Sequence, residues 1–382
     1  MILLWNEVSS LHDADSLPRG RVLSIDALRG FDMFWIIGGA DFFSKLFEFI
    51  DTPFTLSLKD QLEHVYWEGL HFNDVIFPLF LFLVGASLPF ALSKRLERGD
   101  SRSGIYRHII KRAIVLYVLG LIYYGLFDLD FANQRYVGVL PRIAICYLFA
   151  SLIVMNFNIK NQAYWTAGIL LAYWAALYLI PVPGYGAGVI TPEGNFSVWI
   201  DETFLPGRHN HFGACMYGDS TGLLGTIPST ASTLIGTLTG HFLRTSRPQN
   251  EKVKWLIIAG IACLITGLAW SPLFPIIKHI WTSSFVLVAG GLCLFIFALF
   301  YWIIDVRGYR KWAFPFVVVG LNAITIFVAY QMFDFGSVTA IFVHGFIDHM
   351  GAFKPVFMSA CILVVEWFFL YFLYKHQIFL KA

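Results

Sequence analysis

The fold class this sequence predicts is all-α: a polytopic integral membrane protein with a bundle of about ten transmembrane helices. Three observations predict it. The first is composition: of 382 residues, 57% are hydrophobic, 18% aromatic and only 14% charged, with a mean hydropathy of +0.66. A soluble domain would be nearer a quarter charged, so the surplus apolar surface needs lipid as a second solvent. The second is a recurrence of apolar runs close to 20 residues long, roughly what a helix needs to cross about 30 Å of hydrocarbon. The third is the uneven distribution of Lys and Arg among the segments between those runs. The same numbers exclude a nucleic-acid partner, because the net charge is only +2. Cys146, Cys215, Cys263, Cys293 and Cys361 show neither a disulfide framework nor a metal-ligand spacing.

The runs fall at about 30–50, 72–93, 112–128, 142–157, 163–181, 222–243, 255–271, 284–304, 313–333 and 356–375. With the N-terminus inside, 20 of the 27 Lys and Arg residues fall in inside segments, and every inside loop follows the bias. An even count with both termini cytoplasmic results. Residues 1–19 read as a cytoplasmic tail, and residues 20–382 as one transmembrane domain. The opening MILLWNEVSS lacks the basic region of a signal peptide, and acidic residues soon interrupt it. Residues 182–221 form the longest outer loop, punctuated by Gly and Pro and long enough to cover a pocket as a lid.

Ionisable groups inside spans are costly and mark candidate sites. Span one opens SIDALRG, where Ser24 suits an N-cap and Asp26 favours the positive end of the helix dipole. Asp26 and Arg29, three apart, can pair on one face at the cytoplasmic entrance. Asp32 lies deeper. Asp41 follows Gly38 and Gly39, which allow close helix approach, so Asp41 is expected to face protein beside a water-filled pocket. Span two is preceded by HVYWEGLHFND. If the helix continues backwards, His64, Trp67, His71 and Asp74 share one face and present two imidazoles, an indole and a carboxylate at the outer lip, with Glu68 beside them. Arg142 opens span four. Lys278, Trp281 and Ser283 precede or begin span eight, and Asn322 lies within span nine. His344, Asp348 and His349 fit no standard zinc spacing, so no metal is expected.

These residues carry a resemblance. Ser24–Gly30 (SIDALRG), His64-x-x-Trp67-Glu68-Gly69 followed by Asp74–Pro78 (DVIFP), Gly138–Ile143 (GVLPRI), Gly222–Ser229, Pro275–Thr282 (PIIKHIWT) and Gly320–Ala323 occur in order along the chain. The chain resembles the heparan-α-glucosaminide N-acetyltransferase family and its bacterial transmembrane relatives. The resemblance implies a ten-helix acyltransferase bundle in a bacterial inner membrane. It implies acetyl-CoA as the cytosolic donor, an amino-sugar or glycan acceptor on the far side, a homodimer, and a catalytic histidine that falls on His64. The family commonly has an asparagine near the outer end of the first span; here that region reads Gly38-Gly39-Ala40-Asp41, which puts the acceptor contact in question.

Chemistry follows from these placements. An amino-sugar ammonium must lose a proton before attacking a thioester, and an imidazole with a pKa of about 6.5 suits that task. His64 acts either as general base or as an acetyl carrier through acyl-imidazole, a choice the sequence leaves open. Asp41 or Asp74 orients it, and Trp67 or His71 positions the acceptor. Oxyanion donors are sought among Arg142, Lys278, Ser283 and Asn322. On the cytoplasmic side Arg29, Arg107, Lys111, Arg112, Arg244 and Arg310 are available to the phosphates of CoA, and Asp32 and Asn322 line the path of its pantetheine arm. The rival readings are an O-acetyltransferase acting on sialic acid or another glycan, and a proton-coupled sugar permease.

Overall fold

The computed structural model describes residues 22–209 and 217–380. Residues 1–19 and Cys215 lie outside the described residues. Among the described residues the regular structure is helical, and β-pairing is confined to two isolated bridges, Arg135 with Gly207 and Val182 with Gly186. In chain order the helices are α1 (Leu23–Phe34), α2 (Ala40–Ile50), α3 (Pro53–Asp60), α4 (Phe72–Glu97), α5 (Arg102–Tyr123), α6 (Val139–Asn156), α7 (Ile159–Leu179) and α8 (Phe196–Phe204). They continue with α9 (Thr226–Leu243), α10 (Gln249–Trp270), α11 (Ser283–Tyr301), α12 (Phe314–Leu321), α13 (Ala323–Met332), α14 (Phe335–Ile347) and α15 (Lys354–Lys375).

A helix lies over each of the ten apolar stretches. By length and composition, five segments among the described residues can cross a bilayer: Phe72–Glu97, Val139–Asn156, Gln249–Trp270, Ser283–Val306 and Gly351–Lys375. A sixth is added if α12 and α13, bent by 62° at Asn322, count as one span. The first stretch is also broken. A π-helical turn, Trp35–Gly39, joins α1 to α2, and Gly38 has φ +151°, a conformation that glycine tolerates and other residues rarely adopt. Helix α14 covers a segment expected to be loop.

The centre of the fold is α4, where Leu79, Leu81 and Leu83 have no exposure. It packs against α9 so closely that a Cβ on Gly85 would sit 1.9 Å from the Thr233 carbonyl oxygen. Backbones touch there, as in small-residue helix pairs of membranes. Helix α9 is rich in hydroxyls, and most of them bond to its own backbone. Ser229, Thr230, Thr233, Thr237 and Thr239 each donate to the carbonyl four residues earlier.

Two local expectations are corrected. Ser24 is not the N-cap of α1. The helix begins two residues earlier than that cap would allow, with Val22 as N-cap, and the Asp305 carboxylate accepts from the Leu23 and Ser24 amides at 3.2 and 3.1 Å. The expected backward continuation of span two is also absent. Residues 61–71 are turns and irregular backbone, and α4 starts at Phe72 with His71 as its N-cap. Gly69, at φ +127°, breaks the helical path, and its amide is instead bonded to the Ile276 carbonyl at 2.9 Å.

Candidate active site

Asp74 is the third residue of α4, where a carboxylate accepts the unpaired amides that open a helix. Its Oδ2 does so, accepting from the His71 amide at 3.0 Å and from the Val65 amide at 3.4 Å. This folds the 64–71 loop back over the helix start and carries His64 to the other oxygen. His64 Nδ1 lies 2.8 Å from Asp74 Oδ1. Lys278 Nζ lies 3.1 Å from the same oxygen, 2.9 Å from His64 Nδ1 and 3.4 Å from His64 Nε2. Asp74 is 1% exposed, so its charge requires these partners.

One nitrogen cannot both donate to Asp74 and accept from an ammonium. With Nδ1–H donating to the carboxylate, Nε2 carries the basic lone pair and Lys278 is held by the shared oxygen. Burial pushes the Lys278 ammonium below its ordinary pKa, with Asp74 opposing the shift.

Lys278 owes its position to a tight reversal just before α11. The Trp281 amide donates to the Lys278 carbonyl at 2.9 Å, and Trp281 takes φ +56°. A left-handed, fully buried tryptophan is strained backbone, held here by packing on Phe77 and Phe285 and by Nε1 donating to Ser232 Oγ at 3.2 Å. His279 in the same reversal stacks on Trp67, with centroids 5.8 Å apart and planes within 7°, and its Nε2 lies 3.3 Å from the Val65 carbonyl. The two loops therefore fasten each other.

His64, Lys278, His279 and Trp281 line a cavity of about 490 Å³ together with Trp35, Gly38 and Asp41 from the first span, Tyr123 and Tyr124 at the end of α5, Arg135, and Phe327 and Tyr330 of α13. The volume lies within the range of small-molecule sites, roughly 300–1,000 Å³. Asp41 stands at the rim rather than against protein. Its side chain is 55% exposed and pairs with Lys45 at 2.6 Å.

The other candidates are distributed as follows. Trp67 does not line the cavity, and its indole donates to the Ile190 carbonyl at 3.0 Å, tying the long outer loop to the site. His71 Nδ1 lies 3.1 Å from the Glu63 carbonyl, and Glu68 is exposed. Ser283 donates to the Leu170 carbonyl at 2.7 Å. Arg142 is buried behind Trp281, its guanidinium 5.0 Å from that ring. Asp26 pairs with Arg29 at 3.4 Å, and Arg29 donates to Ser87 at 2.8 Å. Asp32 is fully buried, with no hydrogen-bond partner for its carboxylate among the described residues. Asn322 sits at the break between α12 and α13 and donates to the Ile378 carbonyl at 3.1 Å. Arg112 lies over Tyr147, and Arg244 bonds to Ser93 and pairs with Glu97. Asp26, Arg29, Asp32, Asn322, Arg112 and Arg244 do not line the cavity.

Two features had no signal in the sequence. One is His279, which no spacing singles out. Arg135 and Asp219, 84 residues apart, form a buried bidentate pair at 2.9 and 2.7 Å that closes the cavity wall.

The fold and site define a class: a helical, membrane-type protein in which a helix-capping carboxylate holds an imidazole and an ammonium at a cavity. Residues 21–197 match the family described as heparan-alpha-glucosaminide N-acetyltransferase, catalytic, so the resemblance carried by the motifs stands. The chain is 25% identical over 324 residues to the human heparan-alpha-glucosaminide N-acetyltransferase, covering 71% of this chain and 49% of the relative. It is 26% identical to the mouse protein of the same name, over the same shares. The chain thus spans about half the length of the curated relatives it matches.

Proposed function

We propose that this protein is a transmembrane acetyltransferase that passes the acetyl group of cytosolic acetyl-CoA to the amine of a glucosamine-type sugar on the far side of the membrane. The family resemblance suggests the acetyl transfer. The reading takes all ten apolar stretches as spans, with both termini on the cytoplasmic side of an inner membrane. The observation that carries the site is His64 held through Nδ1 by buried Asp74 while lining the cavity. In this reading Nε2 removes a proton from the acceptor ammonium, the amine attacks the thioester carbon, and the C–S bond breaks to give amide and CoA thiol. General-base assistance of this kind contributes roughly 10²–10⁴-fold. Lys278, beside the imidazole, is placed to donate to the carbonyl oxygen as negative charge develops. Ser283 and Asn322, engaged elsewhere, drop out of that role. Asp41 and Asn73 meet the acceptor at the cavity mouth.

The test uses sealed proteoliposomes of known orientation, with acetyl-CoA on the face of α4 opposite His64. Thiol release should require glucosamine on the His64 side, the product should be the N-acetyl sugar by mass spectrometry, and His64→Ala should abolish both. Acetylation confined to acceptor on the CoA side would refute the sidedness. An ester product would move the reading to O-acetyl transfer, and sugar uptake without acetyl-CoA would move it to a permease.

A further inference from the structure

A second cavity, of about 220 Å³, lies between α6 and α9 at the outer end of the bundle. Its volume is below the range of roughly 300–1,000 Å³ for whole small-molecule sites, so it suits a headgroup rather than a second acceptor. Its rim is apolar and open: Phe149 is 52% exposed, Ile227 48% and Leu223 37%. On spans these exposed side chains face lipid.

The inner wall is different. Arg142, which lines the crevice, is 1% exposed. Its Nη2 donates to the Gly222 carbonyl at 3.1 Å, while Nε and Nη1 have no hydrogen-bond partner among the described residues. The guanidinium rests against Trp281 and, at 5.9 Å, Phe77, and no carboxylate among the described residues forms an ion pair with it. Asp219 and Asp201 act on it only through space: Asp219 is engaged bidentately by Arg135, and Asp201 accepts from the Asp219 and Leu223 amides. A buried guanidinium with two unsatisfied N–H groups is costly unless an anion bonds to them. Guanidinium groups answer phosphate well, through a planar fork of donors.

We propose that this crevice binds one phosphate-headed lipid of the outer leaflet, with its phosphate on Arg142 and an acyl chain along Ile145, Phe149 and Ile227. This rests on the membrane reading above, which places the start of α9 at the outer face. The lipid neutralises the guanidinium that supports Trp281, so it belongs to the wall of the reaction cavity without touching the reacting atoms. Thr221 lines both cavities and marks their common wall.

The experiment is native mass spectrometry of the full chain released from nanodiscs containing phosphatidylglycerol and diacylglycerol. Wild type should retain one phosphatidylglycerol and no diacylglycerol. Arg142→Leu should lower that retention at least about tenfold, the scale expected for lost charge-assisted hydrogen bonds. Ile227→Trp narrows the crevice from its lipid side and should lower retention without touching the buried arginine. It serves as the second variant if Arg142→Leu does not fold. Equal retention by the variants, or diacylglycerol held as well as phosphatidylglycerol, overturns the proposal. So does displacement by millimolar inorganic phosphate, which would make the site one for a free anion. A shift from dimer to monomer in Ile227→Trp with lipid unchanged also overturns it, by assigning the crevice to a second copy of the chain. Thiol release with glucosamine, measured on the same wild-type preparation, reports separately on the acetyltransferase reading.

Discussion

Replacing Asp74 with Asn tests the centre of the site while changing almost no volume. The carboxylate accepts on both oxygens: from His64 and Lys278 on Oδ1, and from the His71 and Val65 amides on Oδ2. An amide offers one accepting atom and one donating group. Whichever way it turns, its NH₂ faces a pair of donors, and the lost negative charge weakens its hold on the imidazole, on Lys278 and on the helix start together. The variant should therefore lose the orientation and tautomer of His64, and kcat should fall about 10²–10⁴-fold, equivalent to about 2.7–5.5 kcal/mol. An equivalent replacement in a Ser-His-Asp hydrolase costs about 10⁴. Stability should change less, by about 1 kcal/mol for the weakened cap. The assay is thiol release from acetyl-CoA with glucosamine in nanodiscs, with thermal unfolding of the same sample. Turnover within about threefold of wild type in a folded variant would refute the assigned role. Lys278→Met sharpens the test, because it shares the Oδ1 atom. If the two substitutions multiply in the double variant, the three groups do not act as a unit.

Two further outcomes can be measured. Burial raises the Asp201 carboxyl to about 6, although the Leu223 and Asp219 amides bond to it. A raised folded pKa means that its stabilising contribution is complete below about 4, the unfolded value, and is lost as pH climbs through 6. The unfolding free energy of Asp201→Asn should therefore gain on wild type between pH 4 and pH 6, by up to about 3 kcal/mol, and a difference independent of pH would refute the assignment. Gly85→Ala should destabilise by about 1–3 kcal/mol, because its Cβ would meet the Thr233 carbonyl, whereas Gly168→Ala, with open space around it, should be neutral or mildly stabilising.

The sequence made the helices easier to read than their joints. Runs of apolar residues set α4, α6, α10, α11 and α15, because length and hydropathy are local properties. Breaks were harder. Nothing in FWIIGGADFF reveals a π turn, and Asn322 read as a buried polar residue rather than the corner of a 62° bend. At the site, the sequence leaves the orienting carboxylate open between Asp41 and Asp74, and the helical stripe it suggests is not what joins His64 and Asp74. They meet because a helix start recruits a loop, and not because they share a helical stripe. In the sequence Lys278 is one of several candidate donors to the oxyanion. That its ammonium reaches across 214 residues to the imidazole is a tertiary fact with no periodicity to betray it. The same holds for Arg135 with Asp219, and for the stacking of Trp67 on His279.

The hydroxyl row of α9 bears on how such chains are counted. A hydropathy sum charges every serine and threonine as if it met hydrocarbon unbonded, yet each of these has already spent its proton inside its own helix. Helix α9 is absent from the five segments that pass on composition, although it packs against the most deeply buried one. If α9 crosses the membrane, as the proposed ten-span reading requires, segments of this kind are what a tally by apolarity alone misses, and a survey of membrane chains that credits back-bonded hydroxyls would recover them.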